Sequence, residues 1–228
     1  MLHEIPALSN KVLAFAERLS AQGFTVYVPV LFGNTKGKTS NLHNLATIAE
    51  LGTSPNWNVV FGQHQHSPIT DWLRLLCRDI SAAHNNAGMG VIGMCLTGAF
   101  PVALMSEKCV VAPVECQPSL LIVAITPEGR RSLAISQREL SQAITGSRER
   151  DIDVFATRYG LDRIAKREKF KTLHDAFGDR FLDHTIPRSE YPKHRLKRNS
   201  HATLTHCVDT PPARQLFGEV VAFLHSKL

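Results

Sequence analysis

The chain has 228 residues, a formal charge of +6 at pH 7 and a composition that is 43% hydrophobic. That length and apolar content suit a single domain, residues 1–228, with a core large enough to fold alone. No apolar run approaches the roughly 18 residues of a membrane span, and Met1-Leu2-His3-Glu4 is not the basic-then-apolar start of a signal peptide, so the expectation is a cytoplasmic protein without membrane contact.

Five cysteines (Cys77, Cys95, Cys109, Cys116 and Cys207) form an odd set without a CxxC pair, which argues against a disulfide framework and against a cysteine zinc site. The positive excess is local, in Lys193, Arg195, Lys197 and Arg198 and in Arg130, Arg131, Arg148 and Arg150. No nucleic-acid reader motif accompanies these charges, so they read as solvated loops that can also steer small anionic substrates.

Along the chain, Ser9 can cap a first helix whose Val12, Leu13, Phe15, Ala16 and Leu19 recur at helical spacing, with Gly23 where a left-handed terminal residue belongs. Residues 24–30, rich in β-branched and aromatic types, predict a strand that Gly33-Asn34 ends. The polar stretch 34–68 exceeds normal loop lengths and reads as a cap over a site or as short elements. Thr70 can cap a second helix with Trp72, Leu73, Leu76, Cys77 and Ile80 on one apolar face, which makes Cys77 core filler. There follow a strand at 90–93, a helix from Leu96 to about Ser106, strands at 109–114 and 120–125, and a helix over 135–144. The pattern continues with a strand near 152–159, a helix near 166–177, a strand at 180–186, a long loop to Asn199 and a last helix over about 213–226. Strands alternating with helices predict an α/β fold, a mainly parallel sheet with helices on both faces.

In such a sheet, sites form at the carboxyl ends of strands. Gly93-Met94-Cys95-Leu96-Thr97 has the form of a nucleophile elbow with Cys in the nucleophile's place, a turn so sharp that it projects its central side chain. The position two after the nucleophile is Thr97 rather than Gly. A thiol needs a base and the base needs an orienting acid. Asp162, just past the end of a predicted strand, and His201, after the next strand and its loop, supply both in the chain order nucleophile, acid, histidine. The plainer reading of each residue alone is a buried inert thiol, a solvated Asp and one of eleven histidines. Their joint placement favours catalysis.

On these residues the sequence resembles the dienelactone hydrolases. The resemblance is carried by His3-Glu4-Ile5-Pro6 before the first helix, the segment from Gly23 to Pro29, Gly93-Met94-Cys95-Leu96-Thr97-Gly98, Asp162 and His201-Ala202-Thr203-Leu204-Thr205, and it spans nearly the whole chain. It implies an α/β-hydrolase fold and cofactor-free hydrolysis of a lactone or other activated ester by a triad of Cys95, His201 and Asp162. The substrate would be a small molecule, in some cases anionic, and the protein a monomer or homodimer. The resemblance also matches Glu4 to a glutamate that helps control the nucleophile's protonation, and the backbone N–H groups of Ile5 and Leu96 to the oxyanion hole. Two features depart from the pattern. The strand that leads into the His-Glu segment in the family is not in this sequence, and Thr205-His206 stands where members acting on anionic dienelactone tend to carry an Arg. The second departure speaks against dienelactone itself, unless the basic loop 193–198 supplies the charge.

Other motifs are weaker. The segment from Gly33 to Thr39 is one residue short of a phosphate-binding loop, His64-Gln65-His66 lacks a third metal ligand, and Asp183-His184 should sit on opposite faces of a strand. Metal and cofactor are therefore expected to be absent. The rival readings for the whole chain are a catalytically silent binding protein of the same fold and a thiol redox sensor using Cys95, although no resolving cysteine lies near it in sequence.

Overall fold

The computed structural model describes residues 1–33, 46–47, 49–51, 53–54, 57, 66–119 and 126–228. Its first helix, α1 (Asn10–Ser20), begins where expected, with Ser9 Oγ accepting the Val12 N–H at 3.4 Å, and Gly23 beyond it takes φ +92°. Next come α2 (Pro68–Ala83) and the strand β1 (Met89–Met94), which runs into a single 3₁₀ turn, Cys95–Thr97. The chain continues through α3 (Phe100–Ala103), β2 (Val110–Cys116), α4 (Pro127–Arg131), α5 (Gln137–Arg150), β3 (Val154–Tyr159), α6 (Arg167–Phe177) and β4 (Phe181–Ile186). A short α7 (Glu190–His194) and the long α8 (Pro211–Lys227) complete it.

The four strands form one all-parallel sheet in the order β1-β2-β3-β4, with Gly93 opposite Glu115, Glu115 opposite Ala156 and Ala156 opposite Asp183. Every residue of β3 is buried, as a parallel strand covered on both faces requires. On one face Val12, Phe15 and Leu19 of α1 and Leu216 and Val220 of α8 pack on Ile92, Val114 and Phe155. On the other, Leu73 and Cys77 of α2, Ala143 of α5 and Phe170 and Leu173 of α6 pack on Val91, Val154 and Ala156. The expected α/β class, the helices on both faces and the core position of Cys77 are thus present. Among the described residues, no helix is long and apolar enough to cross a membrane.

Three expectations change. Residues 24–30 form no strand, because a strand needs a ladder partner: Met1 donates its N–H to the Tyr27 carbonyl at 2.7 Å, while on that side β1 pairs, among the described residues, with Leu2 alone, through one parallel bridge to Gly93. The helix expected from Leu96 to Ser106 is broken into the 3₁₀ turn, α3 and a second 3₁₀ turn, Leu104–Ser106. Pro101 explains the break, since a residue without an N–H is tolerated only in a helix's first turn, where Pro101 in fact stands. The long loop before Asn199 contains α7. The strand at 120–125 lies outside the described residues, as does most of the 34–68 segment.

The middle of α6 tests this packing. Leu173 is 0% exposed between α6 and the sheet, and Leu173→Ala should lower the unfolding free energy by about 2–5 kcal/mol in urea titration with no change in the slope.

Candidate active site

At the carboxyl end of β1 the backbone reverses sharply and Cys95 takes φ +54°, the left-handed region that a non-glycine residue enters only under constraint. The flanking glycines make this possible. A Cβ on Gly93 would lie 2.2 Å from the Thr97 carbonyl, and one on Gly98 would lie 2.5 Å from Pro118 Cα. Thr97, the departure from the elbow pattern, locks the turn in place. Its hydroxyl accepts the Met94 N–H at 3.0 Å and shares its single proton among the carbonyls of Leu2, His3 and Met94 at 3.0–3.2 Å. The nucleophile turn is thereby tied to the N-terminal segment that carries Glu4 and Ile5.

Asp162 sits in the turn after β3, at the same rim of the sheet. Its Oδ1 accepts the N–H groups of Ile164 at 2.8 Å and Ala165 at 3.1 Å, and its Oδ2 accepts from His201 Nδ1 at 2.6 Å. With Nδ1 donating, Nε2 is the nitrogen left for Cys95. The turn is held from below by Arg158, a buried guanidinium that donates to the carbonyls of Ala165 at 2.9 Å and of Tyr159 and Gly160 at 3.3 Å, and from the side by Tyr191 Oη, which accepts the Leu161 N–H at 3.0 Å.

Burial by itself would lower the pKa of His201, but the negative charge of a Cys95 thiolate and hydrogen bonds to Asp162 and to the sulfur outweigh it and raise the imidazole to about 11. Nε2 is buried and makes no hydrogen bond of good geometry, and Cys95 Sγ instead lies 3.1 Å from Ser119 Oγ. Sulfur, imidazole and carboxylate are therefore adjacent, with the thiol turned toward Ser119. In this arrangement the proton resides on the imidazole whenever sulfur is charged.

Glu4 is buried. Its carboxylate accepts from Thr205 Oγ1 at 2.5 Å and Gln117 Nε2 at 3.3 Å, while Gln117 Oε1 accepts from the Thr203 N–H at 3.1 Å and Thr203 Oγ1 at 2.6 Å. Glu4 thus braces the segment that follows His201 and makes no hydrogen bond to Cys95 among the described residues. Thr205 is one of Glu4's partners. The Ile5 and Leu96 N–H groups have no backbone acceptor among the described residues, as an oxyanion hole needs.

Sequence patterns alone do not single out Ser119, Gln117 or Arg158. Gln117 and Ser119 closely follow β2 at the carboxyl rim, the position where a parallel sheet concentrates functional side chains, and that signal could have found them. Also unforeseen are Glu115 and Lys169, both buried on the α6 face. Burial raises Glu115 to about 8 against the pull of Lys169, and lowers Lys169 to about 8 against the fields of Glu115 and Cys95, while neither Glu115 oxygen has a hydrogen-bond partner.

The weaker motifs resolve into structural roles. Asp183 and His184 occupy β4, where the His184 ring stacks on Phe155 at 4.0 Å and Nδ1 meets Glu219 at 2.7 Å, while Asp183 accepts from Thr185. His66 bridges Asp71 at 2.7 Å and Glu139 at 3.2 Å, and His64 lies outside the described residues, as do 34–39 of the glycine-rich stretch. No group of three or more metal-ligating side chains occurs among the described residues.

The histidine's titration follows from this geometry. Because its folded pKa stands above the ordinary 6.5, the charged imidazole's contribution to stability is complete below pH 6.5 and is lost as the pH rises through about 11. In Cys95→Ala two of the raising causes vanish and burial remains, so the ring-nitrogen NMR titration of His201 should move down by about two pH units or more. An unchanged midpoint would show that the thiol and imidazole do not interact.

Compared with known proteins, the chain matches no protein-family model, no curated protein and no solved structure.

Proposed function

We propose that the protein is a cysteine hydrolase of the α/β-hydrolase type that cleaves a small ester or lactone, in the manner of the dienelactone hydrolases. The observation that carries this reading is the 2.6 Å bond from His201 Nδ1 to Asp162, which leaves Nε2 buried beside a cysteine in the left-handed elbow conformation. A structural ion pair has no need of a strained thiol at its other end.

The chemistry runs as two acyl transfers. The Cys95 thiolate attacks the carbonyl carbon, and the oxyanion that forms is held by the N–H groups of Ile5 and Leu96. Collapse of the tetrahedral species breaks the acyl C–O bond, and imidazolium His201 gives its Nε2 proton to the departing oxygen, leaving a thioester on Cys95. Neutral His201 then takes a proton from water, whose oxygen attacks the thioester, and the sulfur leaves as thiolate while the proton stays on the ring. Asp162 keeps Nδ1 protonated in every step. A lactone opens to a hydroxy acid by the same route. Glu4, through Gln117 and Thr205, acts as a positioning residue for the segment after His201 rather than as a proton carrier. No step calls for a metal or cofactor, and the protein would act as a single domain, monomeric or homodimeric, with no nucleic-acid or membrane partner.

Hydrolysis of p-nitrophenyl acetate and of a dienelactone-type lactone tests the proposal. Cys95→Ala and His201→Ala should each lose at least about a hundredfold in kcat/KM, and Asp162→Asn should retain the fold by circular dichroism while losing a comparable factor. Activity that survives Cys95→Ala and His201→Ala removes the triad. A parent protein that turns over neither ester while its thiol alkylates rapidly supports the redox-sensor reading instead.

A further inference from the structure

Two buried ionisable groups play no part in the triad: Glu115 of β2, 1% exposed, and Lys169 of α6, 3% exposed. Val114 and Cys116 belong to the core under α1 and α8, so Glu115 between them points to the other face, which α6 covers and where Lys169 is buried beside Phe170 and Leu173. The sheet register sets Glu115 across from Gly93, two residues before Cys95, and Leu96 of the elbow shares an apolar cluster with Phe170. The two negative charges that act on Lys169 are those of Glu115 and of the Cys95 sulfur.

Neither group is paired by contact. Both Glu115 oxygens lack a hydrogen-bond partner, and Lys169 makes no hydrogen bond or ion pair among the described residues. The other charges on this face are engaged elsewhere: Arg158 on the carbonyls after β3, Glu139 with Arg74 at 2.7 Å and Glu168 with Arg130 at 4.0 Å. An ammonium buried without a contact partner is costly, and groups of that kind collect where a site depends on them. Burial brings Glu115 up to about 8 and Lys169 down to about 8, so that below pH 8 the carboxyl is mostly neutral and the amine mostly charged. The cation is then left uncancelled for the sulfur.

We propose that Lys169 is a positioning residue for the nucleophile, its buried ammonium holding the Cys95 sulfur in the charged form through space rather than by a hydrogen bond. This role rests on Cys95 being the nucleophile and adds a second cation to the imidazolium of His201. Coulombic attraction is mutual, so the thiolate that sustains the charge on Lys169 is sustained by it in turn.

The test is the rate at which iodoacetamide alkylates each cysteine of the 228-residue protein from about pH 5 to about pH 9, read by peptide mass spectrometry, with the exposed Cys207 as internal reference. Alkylation consumes thiolate, and so reports the charge on sulfur whether or not any ester is turned over. On the acid limb of the profile, where the charged fraction of sulfur limits the rate, Cys95 in Lys169→Met should react about tenfold more slowly while Cys207 is unchanged. Tm should hold or rise, because the substitution removes an uncompensated buried charge and keeps an apolar stem. A role confined to packing gives the reverse, a lower Tm with an unchanged Cys95 profile. Lys169→Arg keeps the charge and should bring the rate back to within about threefold of the parent's. Glu115→Gln exchanges one neutral group for another and should leave it within about twofold.

Any of four results overturns the proposal: Cys95 in Lys169→Met reacting as fast as in the parent, equal slowing of Cys95 and Cys207, Lys169→Arg as slow as Lys169→Met at an unchanged Tm, or Glu115→Gln slowing Cys95 as much as Lys169→Met does. If Lys169→Met does not fold, Lys169→Gln takes its place with the same expectations. A parent that hydrolyses no ester yet shows the tenfold loss removes the hydrolase reading and keeps the role of Lys169. Ester hydrolysis that depends on Cys95, with an unchanged profile in Lys169→Met, removes the role of Lys169 alone.

Discussion

A parallel sheet covered by helices on both faces leaves its strands' carboxyl ends as a place where irregular, polar backbone can meet a cleft, and the geometry of this protein depends on that constraint. β2 and β3 are buried along almost their whole lengths, so a side chain with chemical work to do has to sit beyond the last ladder bond. Cys95 follows β1, Gln117 and Ser119 follow β2, and Asp162 follows β3. The rim brings together residues that lie far apart in the chain.

Beyond the sheet, the site is held by buried polar groups that are almost all satisfied. Arg158 spends its guanidinium on three carbonyls of the turn bearing Asp162, and Gln117 stands between Glu4 and Thr203 with both ends of its amide engaged. Such networks are favourable only when closed, since an unmatched buried donor or acceptor costs about 1–3 kcal/mol. The exceptions among the described side chains are correspondingly informative. His201 Nε2, both Glu115 oxygens and Tyr159 Oη lack hydrogen bonds of good geometry. The open imidazole nitrogen stands beside the thiol.

The outer edge of β1 obeys the same accounting in the opposite sense. Residues 24–30 have strand composition, yet without a ladder partner among the described residues they do not enter the sheet, and a largely apolar cavity of about 440 Å³ separates them from β1. The short reach of Met1 and Leu2 across that space ties the far side of the molecule to the elbow, because the Leu2 carbonyl is also one of the acceptors shared by Thr97.

How much of this is legible in the sequence follows from the range of the forces involved. Local signals place α1, α2, α6, α8 and β1 to β4 to within a few residues, because periodicity, caps and β-branched runs act between neighbours in sequence. The same signals single out Cys95, Asp162 and His201, since an elbow flanked by small residues and a residue just past a strand are local features. They do not reveal that Pro101 divides the helix after the elbow, or that Glu4 faces Thr205 and Gln117 rather than the sulfur, because the latter turns on contacts between residues as much as 201 positions apart. Sequence alone determined the class of fold and the chemical types assembled at one rim. Tertiary structure decided which of them touch and which way each imidazole nitrogen points, because hydrogen bonds and packing between distant segments form only when the whole chain closes around its core.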